Sequence, residues 1–229
     1  MTKMKIKLSS FILSAVILVS LITGCSEDNN PPDPVTDIEG NIYKTVQIGN
    51  QVWMAENLRT STLADGSEIP EITDPGDWNE FALPGLCWYN NDKAANKDVY
   101  GALYNYYTVN SGKLCPSDWH VPSRDEWLQM RDVLGDTLTG GGKLKEEGTL
   151  HWNSPNTGAV NSTGFNALPA GIRYFEGTFN SASLFTSFWS ATERDNDKAW
   201  YMSLYYNDAA VVINNTSKKN GFSIRCVKD

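Results

Sequence analysis

The amino-acid sequence predicts a single α+β domain, built from a mostly antiparallel sheet, two flanking helices and long loops. Apolar residues alternate on both sides of a glycine-containing turn over residues 43–58, and alternation returns over residues 198–227. This period of two is typical of half-buried strands. Apolar residues also recur three and four positions apart after Tyr100 and after Ser123, which is the spacing of one helix face.

The first strands, residues 43–48 and 51–58, are predicted to pair as a hairpin around a turn at Gly49 and Asn50. A loop-rich stretch follows over residues 61–96, where proline, glycine and aspartate are frequent. This part of the chain is therefore expected to supply two paired strands and then surface loops.

The first helix is predicted over residues 100–109. Its apolar face is formed by Tyr100, Leu103, Tyr104 and Tyr107. A packed helix face is the favoured interpretation of this stripe, and a ligand platform is the alternative. The second helix begins at Ser123, which forms a capping box with Glu126, and ends at Gly135. Its buried face is predicted to carry Trp127, Met130 and Leu134.

A second loop-rich stretch, residues 139–180, precedes the C-terminal strands. Alternating or β-branched residues predict strands over residues 198–206, 209–214 and 221–227. Turns are predicted between these strands at residues 207–208 and 215–221.

The N-terminus carries the signature of an exported protein. Lysines precede an apolar run over residues 11–22, and twelve residues at about 1.5 Å each cannot cross a hydrocarbon core of about 30 Å. Residues 1–24 therefore predict a signal peptide. The run ends in Leu-Ile-Thr-Gly-Cys25, which resembles the lipobox of bacterial lipoproteins, in which the cysteine is lipidated. An ordinary signal peptide with a chance cysteine is the alternative.

Residues 25–36 are predicted to form the lipidated Cys25 and an acidic, proline-rich tether. The acidic residues after Cys25 resemble the export signal of surface-exposed lipoproteins. We therefore expect a protein on the outer membrane of a Gram-negative bacterium, surface-exposed and in contact with the membrane through its lipid anchor alone.

The net charge limits the classes of partner. The chain carries a formal charge of −8, and removal of residues 1–24 takes away three lysines, which leaves −11. A strongly acidic domain is unsuited to nucleic acid and to electrostatic binding of anionic lipid. We therefore expect no nucleic-acid partner.

Several sequence blocks appear in the order of one known family. They are DIEGNIYKTVQIGNQVWMAENL, YGALYNYYTV, LCPSDWHVPSRDEW, GFNALPAGIR, FWSATE, AWYMSLYY and GFSIRCVKD. Together they resemble the Fibrobacter succinogenes major paralogous domain, a module of secreted and lipid-anchored bacterial proteins. The resemblance covers residues 37–229.

A remoter resemblance concerns the fold. WHVPSRDEW followed by a terminal GFSIRCV is similar to the layout of the formylglycine-generating enzyme superfamily, which implies a C-type-lectin-like fold. That fold places the start of the second helix beside the last strand, so the resemblance implies a disulfide between Cys115 and Cys226, with Cys87 left over or competing. The superfamily's copper-binding cysteine pair has no counterpart here, because the late region contains only Cys226.

The segment over residues 115–127 raises the question of catalysis. A cysteine nucleophile needs an imidazole within hydrogen-bond reach, and Cys115 and His120 are close in sequence. The favoured alternative is a scaffold segment, in which Cys115 forms a disulfide, Trp119 and Val121 anchor the core and His120 is hydrogen-bonded. We therefore expect the protein not to be an enzyme.

Metal sites have weak support in the sequence. The histidines and cysteines lack the paired spacing of a structural zinc site. Residues 89–92 (YNND) and 193–198 (ERDNDK) are rich in oxygen ligands and could hold Ca²⁺, but they lack the regular alternation of an EF-hand loop. We expect solvated loops and no cofactor, with Ca²⁺ as the alternative.

Aromatic residues are concentrated over residues 189–207. If this segment is a strand, one face carries Trp200, Met202, Leu204 and Tyr206, and the other carries Tyr201, Ser203 and Tyr205. One face must join the core, and the other is an amphipathic aromatic surface suited to sugars or protein partners. Packing of these aromatics under long loops is the alternative. The binding candidates are Arg194, Tyr201, Tyr205 and Asn207.

The sequence thus predicts a non-catalytic, lectin-like binding domain for a glycan or protein ligand at the cell surface. Two alternatives stay open. One is a structural or adhesin-like assembly subunit, which a long exposed edge strand or an apolar patch would favour. The other is an enzyme with an unrecognised site, which carboxylates gathered in a pocket would favour.

Overall fold

Helices and short antiparallel strands are mixed along the chain. The computed structural model describes residues 1, 2 and 31–229, and residues 31–229 form one compact unit. The helices in this unit are α1 (Pro75–Glu80), α2 (Lys93–Tyr100), α3 (Tyr106–Val109) and α4 (Arg124–Val133). The strands are β1 (Val35–Thr36), β2 (Ile42–Tyr43), β3 (Thr45–Ile48), β4 (Gln51–Met54), β5 (Leu86–Cys87), β6 (Leu103–Tyr104), β7 (Trp119–His120), β8 (Ile172–Arg173), β9 (Phe179–Asn180), β10 (Phe185–Glu193), β11 (Lys198–Tyr205), β12 (Val212–Ser217) and β13 (Val227–Lys228).

Two sheets organise these elements. The first has the strand order β3-β4-β13-β7, and the second has the order β10-β11-β12. Every pair of named strands is antiparallel, which confirms the α+β class. In the part of the chain that the structure describes, no helix is long and apolar enough to cross a membrane.

The structure differs from the predicted tether at the C-terminal end of that segment. The lipidation site at Cys25 lies outside the described residues, as does nearly all of the predicted signal peptide. Strand β1 pairs with β2, and the hydroxyl of Thr45 donates to the carbonyl oxygens of Pro32 and Asp33. The folded domain therefore begins before residue 37, because the last tether residues already contact it.

The predicted helix over residues 100–109 is wrong. Helix α2 ends at Tyr100 and is followed by Gly101, where φ is +72°. An added Cβ at Gly101 would lie 2.7 Å from the carbonyl oxygen of Leu58. Strand β6 follows and pairs with β5, and Asn105 then caps the separate helix α3. The aromatic residues are spaced as on one helix face, but backbone pairing in the folded protein overrides this local pattern.

Helix α4 agrees with its prediction. Ser123 and Glu126 form the capping box, and Gly135 follows the helix with a φ of +92°. The predicted inner-face residues Trp127, Met130 and Leu134 are all buried.

The C-terminal strand boundaries differ from the prediction. Strand β12 covers residues 212–217 instead of 209–214, because the backbone around Ala209 and Ala210 packs closely against Gly141 and Gly142. Within residues 221–227, the chain makes mostly isolated bridges to other strands, and only Val227 belongs to a regular strand. Tertiary contacts therefore set these boundaries.

The second sheet separates two parts of the core. Phe188, Met202 and Leu204 lie in a cluster with Trp127, whereas Trp189 lies in the other large cluster. Both faces of the sheet therefore carry core residues, and only part of one face is left for a surface role.

Buried cations hold the long loops in place. The ammonium group of Lys145 donates to the carbonyl oxygens of Thr157, Tyr205 and Asp208, and burial lowers its pKa to about 8. The guanidinium group of Arg173 donates to backbone carbonyls in the same way. These side chains satisfy carbonyl groups that irregular backbone leaves without partners.

Candidate functional site

The candidate site is an aromatic surface on the second sheet, which we call the aromatic face. It consists of Tyr174, Phe185, Tyr201 and Tyr205, all of them half-buried. Phe185 lies directly across from Tyr205 in the β10–β11 ladder, and their ring centroids are 5.4 Å apart. Tyr201 packs on the buried ring of Phe222 at 5.0 Å. The rings are thus fixed by packing while part of each remains at the surface.

The environment of Tyr201 shows how these rings are grouped. Burial, together with the nearby Tyr205 and Tyr174, raises the pKa of Tyr201 to about 12. The hydroxyl group therefore keeps its proton at neutral pH and can donate a hydrogen bond. The aromatic face combines flat apolar rings with the hydroxyl group of Tyr201 as a hydrogen-bond donor.

The four predicted binding residues do not form one cluster. Tyr201 and Tyr205 share the aromatic face, as expected from strand alternation. Arg194 is exposed in the turn between β10 and β11 and donates to Asn215, which faces the other side of the sheet. Asn207 is exposed beyond the far end of β11, roughly 25 Å away at the usual strand rise. The tyrosines are therefore the centre of the site.

Sequence reasoning missed two members of the aromatic face. Phe185 opens β10, whose alternation in FTSFWS was a usable signal. Tyr174 follows β8 and reaches the face through an isolated bridge between Arg173 and Gly221. Isolated bridges such as Arg173–Gly221 join loops that are distant along the chain, so no local sequence pattern indicates them.

The segment over residues 115–127 is built as a joint between elements. Cys115 and Cys226 form the expected disulfide, with Cα atoms 6.0 Å apart. The Nε2 atom of His120 lies 2.8 Å from Glu126, and its Nδ1 atom lies 2.5 Å from Asp229. These contacts tie β7 to the start of α4 and to the C-terminal residue.

This joint cannot work as a cysteine–histidine nucleophile. The sulfur of Cys115 is bonded to Cys226, and both ring nitrogens of His120 already face carboxylates. A neutral imidazole has one N–H group, so two carboxylate partners require the doubly protonated ring. His120 is therefore a cationic clamp between Glu126 and Asp229.

The clamp predicts a pH dependence of stability. Burial lowers the pKa of His120, but hydrogen bonds to Asp229 and Glu126 outweigh it, and the net shift is upward from 6.5. Because the pKa of His120 is higher in the folded state, the clamp stabilises the folded state fully below pH 6.5. This stabilisation is lost as the pH rises through the folded-state pKa. We expect the chain to unfold at lower denaturant concentration at pH 9 than at pH 6. A His120→Gln variant should lose much of this difference, and an equal difference in the variant would contradict the clamp.

A groove beside α1 was not predicted from the sequence. A groove of about 540 Å³ runs beside α1. Its lining includes the carboxylates Glu71, Asp74, Asp77 and Glu80 and the apolar residues Ile72, Phe81 and Leu83. Glu71 accepts a hydrogen bond from Trp88, and Asp74 caps α1. The usable signal was the mixture of acidic and apolar residues within a segment predicted as a loop.

The oxygen-rich segments have structural roles. Residues 89–91 form a 3₁₀ turn, and Asp92 caps α2. In the turn after β10, Asp195 accepts hydrogen bonds from the backbone of Asp197 and Lys198. Across the described residues, no group of three or more His, Cys, Asp or Glu side chains is placed to hold a metal ion.

A comparison with protein families gives one match. A family model described as the Fibrobacter succinogenes major domain matches residues 46–228. That span runs from β3 to β13 and includes the whole aromatic face and both disulfide cysteines. No curated protein and no solved structure matches the chain significantly.

Proposed function

The chain belongs to the Fibrobacter succinogenes major domain family, and we propose that it is a non-catalytic binding domain for glycans at a bacterial cell surface. The aromatic face carries this proposal. Three of its four rings, those of Tyr174, Phe185 and Tyr201, pack against the core, and all four stay partly exposed. Tyrosine combines a large flat contact area with a polar end at low entropic cost.

The fold we propose for this domain is C-type-lectin-like. The pairing of β13 with β4 supports it, because the end of the chain joins the N-terminal hairpin in one sheet. The long loop regions held by buried cations support it as well. Such a scaffold leaves loops and part of one sheet face available for ligands.

Glycan binding fits the chemistry of the aromatic face. The apolar faces of sugar rings pack against aromatic rings, while hydroxyl groups need hydrogen-bond partners around them. Tyr201 supplies both, and Asn214 lies directly across from it in the β11–β12 ladder with an exposed side chain. A protein ligand is the other class that this surface suits.

The test is binding by tyrosine variants. We expect the full-length chain, purified in detergent, to bind a subset of a glycan array, and Tyr201→Ala and Tyr205→Ala each to weaken binding by about tenfold or more. Tyr206→Ala is the matched control, because this half-buried tyrosine packs against the core on the other side of the sheet. Equal losses in all three variants, or a large fall in melting temperature, would assign the tyrosines to packing.

The location we propose is the outer membrane, with Cys25 as the lipid-bearing residue. The apolar run before Cys25 and the acidic tether after it support this location. We expect Cys25→Ser to remain unprocessed or to leave the membrane fraction. Unchanged processing and membrane association, measured by fractionation and mass spectrometry, would exclude the lipid anchor.

A second candidate function is assembly with other subunits. Strand β12 pairs with β11 on one edge, and no other strand among residues 31–229 pairs with its second edge. The strand contains no proline and no charged residue, so it lacks the usual protection against strand addition. Sedimentation of the purified chain distinguishes assembly from glycan binding. Assembly requires that the sedimenting mass increases with protein concentration.

A further inference from the structure

We propose that the groove beside α1 binds an extended segment of a partner protein in which lysine or arginine residues stand next to apolar ones. This inference goes beyond glycan binding, because the groove shares no residue with the aromatic face. Three features carry it: the charge of the groove, its apolar residues and the fixed backbone around it.

The first feature is the charge of the groove. Four carboxylates line it, and no basic residue does. Asp77 and Glu80 are exposed, and within residues 31–229 their side chains form no ion pair. They lie three residues apart on α1, so they are neighbours on the helix surface. The charge of the groove therefore complements a cationic partner.

Two cations lie close to the groove without lining it. Arg173 is completely buried and donates to the carbonyl oxygens of Ile72 and Thr73. Lys219 donates to the carbonyl oxygen of Asn79. Both are already bound to the backbone, so the carboxylates of α1 are left for the cations of a partner.

The carboxylates are spread along the groove. Among the described residues, no group of three or more His, Cys, Asp or Glu side chains is placed to hold one metal ion, so the groove calls for a partner with several separate cations. Lysines at alternate positions of an extended segment lie about 7 Å apart, and the Cβ atoms of residues three apart on a helix lie about 5–6 Å apart. One extended segment can therefore present an ammonium group to Asp77 and another to Glu80.

The second feature is the apolar side of the groove. Ile72 is buried, Phe81 is half-buried and Leu83 is 63 % exposed. Lysine and arginine side chains have long apolar stems, which can pack on such residues while the charged end reaches a carboxylate. The hydroxyl groups of an amino sugar would instead need hydrogen-bond partners that these three side chains cannot supply. A protein segment therefore fits this side better than an amino sugar.

The third feature is that the groove is already formed. The backbone N–H of Ile72 donates to the carbonyl oxygen of Leu86, and Asp74 caps α1. The carbonyl oxygen of Leu83 accepts a hydrogen bond from Asn105, so the backbone of Leu83 is held although its side chain is exposed. Binding therefore requires little ordering of the groove itself.

The experiment measures binding of labelled peptides to the full-length chain in detergent by fluorescence anisotropy. The probe is the peptide Lys-Leu-Lys-Leu-Lys. The comparison peptides are Lys-Ser-Lys-Ser-Lys, which keeps the charge, and Glu-Leu-Glu-Leu-Glu, which reverses it, and a glucosamine pentamer represents the amino sugars. We expect the probe to bind most tightly and to lose affinity by about fivefold or more when the ionic strength rises from about 0.05 M to about 0.5 M.

Two double variants with the same change in charge locate the site. Asp77→Asn/Glu80→Gln should weaken binding of the probe by about fivefold or more. The matched control is Asp125→Asn/Asp132→Asn, which removes two exposed carboxylates of α4 and should weaken it by less than about twofold. Leu83→Ala should weaken binding of the leucine probe and leave that of the serine peptide unchanged.

Equal weakening in the two double variants would overturn this inference, because general attraction to an acidic protein would then account for the binding. Equal affinity for the serine peptide, tighter binding of the glucosamine pentamer, or no binding of the probe would overturn it as well. None of these results bears on the aromatic face, because glycan binding there is tested by the Tyr201 and Tyr205 variants.

Discussion

Replacing Arg225 by methionine is expected to destabilise the domain strongly. Arg225 is 1 % exposed, and its guanidinium group donates to Asn57 and to the carbonyl oxygens of Met54, Phe165 and Asn166. The group also stacks on the ring of Phe165 at 4.5 Å.

The size of this effect follows from the oxygen atoms left behind. In the described part of the chain, no carboxylate lies within ion-pair distance of Arg225, and burial lowers its pKa to about 9. The charge is thus retained at neutral pH and stabilised by carbonyl dipoles. Removing the guanidinium donor leaves several buried acceptors without a partner. We therefore expect a loss of roughly 3–5 kcal/mol in the free energy of unfolding.

Denaturant unfolding measures this loss, with two comparison variants. Arg225→Lys keeps the charge but not the planar fork, so it should recover only part of the stability. Arg131→Met removes a half-buried arginine of α4 and should cost less than about 1 kcal/mol. If Arg225→Met costs no more than Arg131→Met, the network around Arg225 does not hold the loops.

Removing the Cys115–Cys226 disulfide should have an effect of similar size. The two residues are 111 positions apart, and closing a loop of that length contributes up to about 4–5 kcal/mol in the chain-entropy model. The bond also joins the segment before α4 to the residue directly before β13. We expect the Cys115→Ala/Cys226→Ala variant to melt well below the parent chain.

Cys87 provides the control for this experiment. It is buried and unpaired among the described residues, and burial raises the pKa of its thiol to about 12. Cys87→Ala should therefore cost only about 1 kcal/mol for the lost packing, and native Cys87 should resist alkylation. Rapid alkylation of Cys115 in the untreated protein, or an unchanged melting temperature in the double variant, would contradict the pairing.

The sequence predicted those parts of the fold that depend on local pattern. The hairpin around Gly49 and the capping box at Ser123 are set by residues close in the chain, and both are present. The disulfide was accessible only through resemblance, since nothing local relates Cys115 to Cys226. The predicted helix over residues 100–109 failed because β6 finds its partners in residues distant along the chain.

The candidate site was predicted only in part for the same reason. Alternation along β11 correctly placed Tyr201 and Tyr205 on one face. It could not place Arg194 or Asn207, because turn residues at opposite ends of a strand have no fixed direction. It also could not show that Trp189, on the same side as Tyr201, is completely buried. Burial of the sheet on both faces is a property of the whole domain.

The most direct test of the central claim is to locate a bound glycan on the surface. The full-length chain is titrated with the glycan of the array that binds best, while NMR signals of labelled tyrosine, leucine and asparagine residues are followed. We expect the signals of Tyr201, Tyr205 and Asn214 to shift and that of Leu83, which is 63 % exposed in the acidic groove, to stay in place. Shifts confined to Leu83 and its neighbours, with the tyrosine signals unchanged, would contradict binding through the aromatic face.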